Sequence, residues 1–146
     1  MERMLFRGKD KFTKEWVVGS GIIADTNTVQ IYTYNVNGMY CDKAFLSHGI
    51  VPETVGQYTG KQVVNKKLFL GDIVECYVDY DDFDYPATAR ETAAVIWDEE
   101  NYCLALYLGK DPNGNKMIQS FNDWDWDDCE IIGNIHDNPE LLEKLG

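Results

Sequence analysis

The sequence predicts a mainly β domain, a small barrel or sandwich with one short helix at its C-terminal end. Short runs rich in β-branched and aromatic residues recur along the chain, each bounded by Gly, Pro, Asn or Asp clusters. Only the segment from Pro139 to Leu145 carries helical spacing behind a capping residue. No internal repeat and no low-complexity linker breaks the pattern, so the whole chain, residues 1–146, reads as one layered β unit with its barrel core between 50 and 136.

In chain order, "EWVVGSGIIA" from Glu15 to Ala24 reads as one strand that bends or bulges at its glycines. The turn residues "DTN" then lead to "TVQIYTY", Thr28 to Tyr34, and the two runs form a hairpin. Asn37-Gly38 marks a loop, because both residues take positive φ at little cost. Extended chain follows Pro52, a turn falls at Val64-Asn65-Lys66, and a strand runs from Leu68 into "GDIVECYVDY". Alternation there puts Val74, Cys76, Val78 and Tyr80 on the core face, with Ile73, Glu75, Tyr77 and Asp79 opposite. Ala93–Trp97 and Tyr102–Leu108 form a second hairpin around the polar tip "DEEN". "KDPNGNK" is a turn, and Lys116–Phe121 and Glu130–Ile135 supply the last strands. In the helix, Asn138 is placed to cap the first turn, Pro139 suits the first helical position, and Leu141, Leu142 and Leu145 form the packing face.

Composition narrows the class further. A chain of 146 residues buries about 70% of its unfolded surface, enough for a core without staples. With 45% apolar and 13% aromatic residues, the net charge of −12 belongs to the surface of a folded protein. That charge is uneven. Residues 1–71 hold nine Lys/Arg and six Asp/Glu, whereas residues 72–146 hold four and nineteen, so the balance runs from +3 to −15. The acidic half repels a membrane surface or a nucleic-acid backbone. Cys41, Cys76, Cys103 and Cys129 are too widely spaced for a C-x-x-C zinc or redox pattern, and "MERMLFRGKD" places charges where a secretory leader is apolar. Four reduced thiols in a cytoplasmic protein are therefore expected. No apolar run approaches the length of about 18 residues that a membrane helix needs.

Three blocks carry a family resemblance. "RGKDKFTKEWVVGSGI", "PETVGQYTGKQVVNKKLFLGDIVE" and "EIIGNIHDNPELL" resemble, in order and over nearly the whole chain, the YopX-like family of bacteriophage and prophage proteins. The pairing of Gln57-Tyr58-Thr59-Gly60 with Gly71-Asp72-Ile73-Val74, and of Ile132-Gly133-Asn134-Ile135 with Asn138-Pro139-Glu140-Leu141, makes it specific. The chain departs from the family pattern in the middle block: its turn "VVNK" is one residue shorter, and Leu70 stands where an acid precedes the Gly-Asp pair. A tight turn with Asn65 at positive φ follows. The resemblance implies an SH3-type barrel, phage or prophage origin and action inside the bacterial cell. It brings no catalytic residue with it.

The residues themselves support a scaffold reading of the middle block. Gly60 and Gly71 bracket the hairpin where backbone freedom is useful, and Asp72 can accept from nearby backbone N–H groups. In "DYDDFDY", Asp79, Asp81, Asp82 and Asp84 suggest a cation loop, but the EF-hand positions for Gly and Glu hold Asp84 and Arg90, leaving a solvated acidic loop as the default. In "NDWDWDDCE", an extended chain turns Asp123, Asp125 and Asp127 one way and Trp124 and Trp126 the other. The indoles are then either buried under an acidic surface or exposed as an interface anchor. His48 and His136 lack a Cys or Ser at nucleophile spacing and read as surface histidines.

The functional expectation is a non-enzymatic accessory protein, a protein-interaction or self-assembling β-barrel module, with no metal or cofactor. Its partner is another protein or further copies of the chain, not a membrane, and direct nucleic-acid binding is disfavoured. Asp79, Asp81, Asp82, Asp84, Asp123, Trp124, Asp125 and Trp126 form the candidate interaction surface. One alternative is an acidic nucleic-acid mimic that blocks a host DNA- or RNA-binding protein. Alternate Asp residues on a strand stand roughly 6.8 Å apart against about 1.7 Å per charge in duplex DNA, so a mimic needs both acidic segments on one face. Another is an enzyme acting on nucleotides or nucleic acid, whose sign is a pocket uniting His48 or His136 with two acids.

Overall fold

Among the residues that a computed structural model of the chain describes, 4–34, 45–80 and 87–145, strands predominate and one short helix lies near the C-terminus. The chain divides into two units, Met1–Gly60 and Lys61–Gly146.

In the first unit, β1 (Phe6–Lys9) pairs antiparallel with β2 (Trp16–Gly19), and β3 (Gly21–Ala24), β4 (Val29–Tyr34) and β5 (Phe45–Ile50) form an antiparallel meander. The single bent strand expected from Glu15 to Ala24 is two strands, broken at Ser20. A side chain at Gly19 would collide with the Tyr32 carbonyl, so the end of β2 can sit against β4 only because Gly19 has none. The hairpin turn forms as expected, with Asp25 Oδ1 accepting from the N–H groups of Asn27 and Thr28, both at 2.9 Å. Val29, Ile31 and Ile50 form this unit's core, with Phe6, Val17, Ile22 and Val55 against it. Asn37-Gly38 and Cys41 lie outside the described residues.

After a 3-10 turn at Pro52–Thr54, β6 (Gly56–Val63) begins beside β1 and carries the chain into the second unit. Gly60, at the boundary, has φ +89°. β7 (Lys66–Phe69) returns from a tight turn in which Asn65 has the expected positive φ, 62°. Val64 beside it also takes positive φ, 48°, the two-residue conformation of a hairpin turn imposed here on a β-branched side chain.

The strand expected to run unbroken from Leu68 instead turns a corner at Leu70-Gly71 before β8 (Asp72–Tyr80). Gly71 sits there at φ +92°, donates its N–H to the Val95 carbonyl and accepts from the Ile135 N–H, each at 2.9 Å. Asp72 is buried and accepts from the Phe69 N–H at 2.8 Å, the role its position suggested. β8 then joins a five-stranded antiparallel sheet with β9 (Ala87–Asp98), β10 (Cys103–Lys110), β11 (Lys116–Ser120) and β12 (Cys129–Asn134), in the order β11-β10-β9-β8-β12.

One face of this sheet holds Val74, Cys76, Ala93, Val95, Leu106 and Cys129, covered by Val63, Leu68, Trp124 and Trp126. The expected core residues Val74 and Cys76 are there, but Ile73 on the opposite face is equally buried. The two sides of β8 therefore both face apolar packing at its start.

The expectation of four reduced thiols is corrected. Cys76 and Cys129 stand directly opposite one another on β8 and β12, with Cα atoms 4.2 Å apart, and form a disulfide. Linear spacing hid this, because 53 residues separate the pair in sequence and only sheet register joins them. Cys103 is free and exposed.

The helix α1 spans Pro139–Glu143, but Asn138 does not cap it. Its Oδ1 instead accepts from the Asn134 N–H at 3.2 Å, tying the end of β12 to the helix start.

Two outcomes follow from this packing. Replacing both Cys76 and Cys129 by Ala removes the cross-link from a loop of 53 residues, and unfolding stability should fall by about 4 kcal/mol on the chain-entropy model. Urea unfolding with and without dithiothreitol checks it: reductant should weaken the wild type and leave the variant unchanged. Gly71→Ala forces a side chain into positive φ and should cost about 1–2 kcal/mol in the same assay. Gly114→Ala, at a comparable φ of +84°, should cost a similar amount, which tests that conformation is the source.

Candidate interaction surface

The second face of the five-stranded sheet is only partly covered. In register, Ile118 of β11 stands beside Tyr107 of β10, which stands beside Ala94 of β9. These residues, with Ile96, floor and wall an open groove of about 880 Å³ whose far wall is Ile135, just past β12, and Leu142 of α1. Its two ends differ in charge. Lys116 lines one end, and Asp98, Glu99 and Glu100 from the β9–β10 tip line the other. A second depression, of about 700 Å³, is bordered by the same strand through Lys116, Met117 and Ile118 and by Lys144 and Leu145.

Local sequence builds the acidic tip. Asp98 Oδ1 accepts from the Glu100 N–H at 3.0 Å and Oδ2 from the Asn101 side-chain amide at 2.8 Å, closing the turn. The Asn101 amide, followed by the backbone N–H groups of Glu100 and Asn101, holds the Asp98 carboxyl below the usual carboxylate range, so it stays ionised near neutral pH. Trp97 and Tyr102 flank this turn and are 51% and 80% exposed. Large exposed aromatic groups beside an apolar floor are characteristic of surfaces that meet another molecule.

Of the residues singled out in the sequence, the two tryptophans take the buried alternative. Trp124 and Trp126 belong to the core and are each 9% exposed, with ring centroids 6.0 Å apart. Their indole N–H groups donate to Gln119 Oε1 at 2.6 Å and to the Phe121 carbonyl at 2.9 Å. The extended alternation is replaced by two 3-10 turns, Phe121–Asp123 and Trp126–Asp128, so both indoles bury on the same side. Asp125 and Asp127 are exposed, and a depression of about 300 Å³ lies among Lys61, Phe121, Asn122, Asp125, Asp127 and the tryptophans. Asp79 is opposite Thr88 in the β8–β9 ladder. The side chains of Asp79 and Asp123, and all of Asp81, Asp82 and Asp84, lie outside the described residues.

His48 is tied into the first unit. Its Nδ1 lies 3.4 Å from Asp10 Oδ2 and its Nε2 lies 3.1 Å from Thr33 Oγ1. The connectivity is that of an acid–base–hydroxyl relay, but a nucleophile also needs a substrate cleft and oxyanion donors. Asp10 is engaged in holding a turn, its Oδ1 accepting from the N–H groups of Phe12 and Thr13 at 2.8 and 3.1 Å. We read the trio as structural. His136 follows β12, its backbone N–H donating to Asn134 Oδ1 at 3.0 Å. Among the described residues no group of three His, Cys, Asp or Glu side chains is disposed to hold a metal ion, and no helix is long and apolar enough to cross a membrane.

The chain is mainly β and turns an apolar, acid-tipped groove outward. Comparison with known families then places it: the family described as YopX protein matches residues 5–143, and the chain belongs to that family. Among curated proteins none matches the chain. The sequence did not single out the groove, although its acidic end was visible as the polar tip between two apolar runs.

The Asp10 turn yields a pH prediction. The Thr13 and Phe12 N–H groups, with a further contribution from His48, hold the Asp10 carboxyl below its usual range. A lowered folded value means that its stabilisation is complete above the unfolded value near 4 and is lost as pH falls through the folded value. Asp10→Asn should melt below the wild type at pH 7, and the gap should narrow as pH falls below about 4. Thermal circular dichroism across that range checks it. A gap that persists unchanged at pH 2 would mean that the carboxylate charge is not its source.

Proposed function

We propose that this YopX-family chain is a phage or prophage accessory protein that works inside the host cell as a non-enzymatic protein-binding module. The groove between β11 and α1 carries the reading: an apolar floor open to solvent, with carboxylates at one end, is suited to a protein partner with an apolar segment and a basic group beside it. The exposed Trp97 and Tyr102 supply rigid anchors at the acidic end. The SH3-type barrel implied by the family resemblance accords with such a role, since small barrels present grooves for extended segments.

A second reading, the acidic nucleic-acid mimic, is favoured by one observation. Residues 1–60 hold six Lys/Arg and six Asp/Glu, whereas 61–146 hold seven and nineteen, so the whole net charge of −12 belongs to the second unit. Such a field attracts a basic cleft at long range.

Affinity capture from host and phage-infected lysates separates the two. Wild type and a Glu99→Lys/Glu100→Lys/Trp97→Ala variant serve as baits at about 0.1 M and 1 M salt, which shortens the screening length from roughly 10 to 3 Å. The binding-module reading expects a protein held by the wild type at both salts and lost from the variant. Capture of a nucleic-acid-binding protein only at low salt would select the mimic. Identical capture by both baits would remove the groove from either role.

A further inference from the structure

We infer that the groove's occupant is a second copy of the chain, entering by its β1–β2 turn with Phe12 on the apolar floor and Lys11 and Lys14 toward the acidic end. The inference rests on the binding-module reading, that the groove is a docking surface, and it names what docks there.

The turn presents an anchor that is already built. Phe12 is 89% exposed, with Lys11 before it and Lys14 two residues after it. Aromatic side chains of this kind carry much of the binding energy where proteins meet. The backbone beneath the ring is fixed from several sides. Asp10 Oδ1 accepts from the Phe12 and Thr13 N–H groups, the Lys14 N–H donates to the Asp10 carbonyl at 3.0 Å, and the Lys11 N–H donates to the Gly49 carbonyl of β5 at 2.9 Å. Little conformational freedom is left to lose on docking, which favours affinity. The segment is also basic: residues 7–15 hold four Lys/Arg and two Asp/Glu, and one of those acids, Asp10, is buried in the turn.

The groove is the chemical counterpart. Ile96, Tyr107 and Ile118 offer an apolar floor to a phenyl ring, and Asp98, Glu99 and Glu100 receive lysines at one end, whereas Lys116 repels them at the other. Ile96 and Asp98 are two residues apart on β9, roughly 7 Å along one face of the strand. A ring seated over Ile96 therefore lies close enough to the acidic tip for a flanking lysine side chain to span the gap. The unlike ends of the groove fix which way the turn enters.

An exposed Phe among lysines also suits a nucleic-acid base stacked beside its phosphates. The chain's net charge of −12 repels such a polyanion, while its own acid-ended groove attracts the turn, so the second copy is favoured. Each copy carries one turn and one groove, which makes the contact heterologous. One turn in one groove buries little area, and the contact belongs to the weak, reversible class.

That asymmetry supplies the test. Sedimentation equilibrium of the full chain at about 5 to 500 µM, a range spanning weak affinities, should show the average mass of the wild type rising reversibly with concentration. Phe12→Ser, at an exposed position, should weaken association about 30-fold or more. Glu99→Lys/Glu100→Lys, at the exposed acidic tip, should weaken it about tenfold or more. Circular dichroism checks that both variants fold. Mixed in equal amounts, the two variants retain one competent groove and one competent turn, so they should form a heterodimer and go no further. A wild type monomeric at 500 µM, association indifferent to both variants, or a mixture no more associated than its components overturns the inference. A monomeric wild type that binds a single-stranded oligonucleotide through Phe12 overturns it in favour of nucleic acid. A monomer whose groove still captures a different protein removes the second copy and leaves the binding-module reading standing.

Discussion

The second unit depends on the corner at Gly71. One residue at φ +92° lets the chain leave β7 and enter β8, while its own N–H and carbonyl fasten the corner to β9 and to the end of β12. Buried backbone groups must find partners, and here they are Val95 of β9 and Ile135 just past β12, so local geometry and sheet assembly are satisfied together. Asp72 completes the corner by accepting the Phe69 N–H. A side chain at Gly71 would meet the rings and methyls of His136 and Ile135 at ordinary contact distance, about 3.6 Å. Conformation, rather than space, is what requires glycine there.

From that corner the sheet acquires two unlike faces. One is closed by two tryptophans whose N–H groups are satisfied by Gln119 and by the Phe121 carbonyl, which is what allows such large rings to be buried. The Cys76–Cys129 disulfide lies within the same layer and fastens β12 to β8. Cys129 Sγ also lies 3.2 Å from the Asp125 carbonyl. On reduction the Cys129 thiol would have that carbonyl as an acceptor. The other face is covered over Ile73 and Ala94 but opens toward β11, where the short α1 does not reach across.

Charge is divided unevenly between the two units. The first unit is neutral by count and sets Arg7 and Lys9 over the ring of Trp16, 4.6 and 5.4 Å from its centroid, where the ring quadrupole stabilises both cations. The second unit carries the acidity. The carboxylates at the β9–β10 tip give the groove a polarity, because Lys116 stands at its other end.

Much of this was legible from local chemistry. Alternation and turn residues determined the mainly β class, the hairpins at Asp25–Thr28 and Trp97–Tyr102, the turn at Asn65, the acceptor role of Asp72 and the terminal helix, because each rests on neighbours within a few residues. Family blocks determined membership over nearly the whole chain. What local chemistry left open was decided by contacts between distant segments. A close approach to Tyr32 split the first strand, and a corner fastened to Val95 and Ile135 split another. Sheet register, not spacing, brought Cys76 to Cys129. Two tight turns, not a strand, carried Trp124 and Trp126 into the core, and the groove exists only because Ile96, Tyr107, Ile118 and Leu142 converge from four elements. A sequence states which residues seek burial; which of them are left at the surface depends on how much area the neighbouring elements can cover, and that is a property of the folded chain alone.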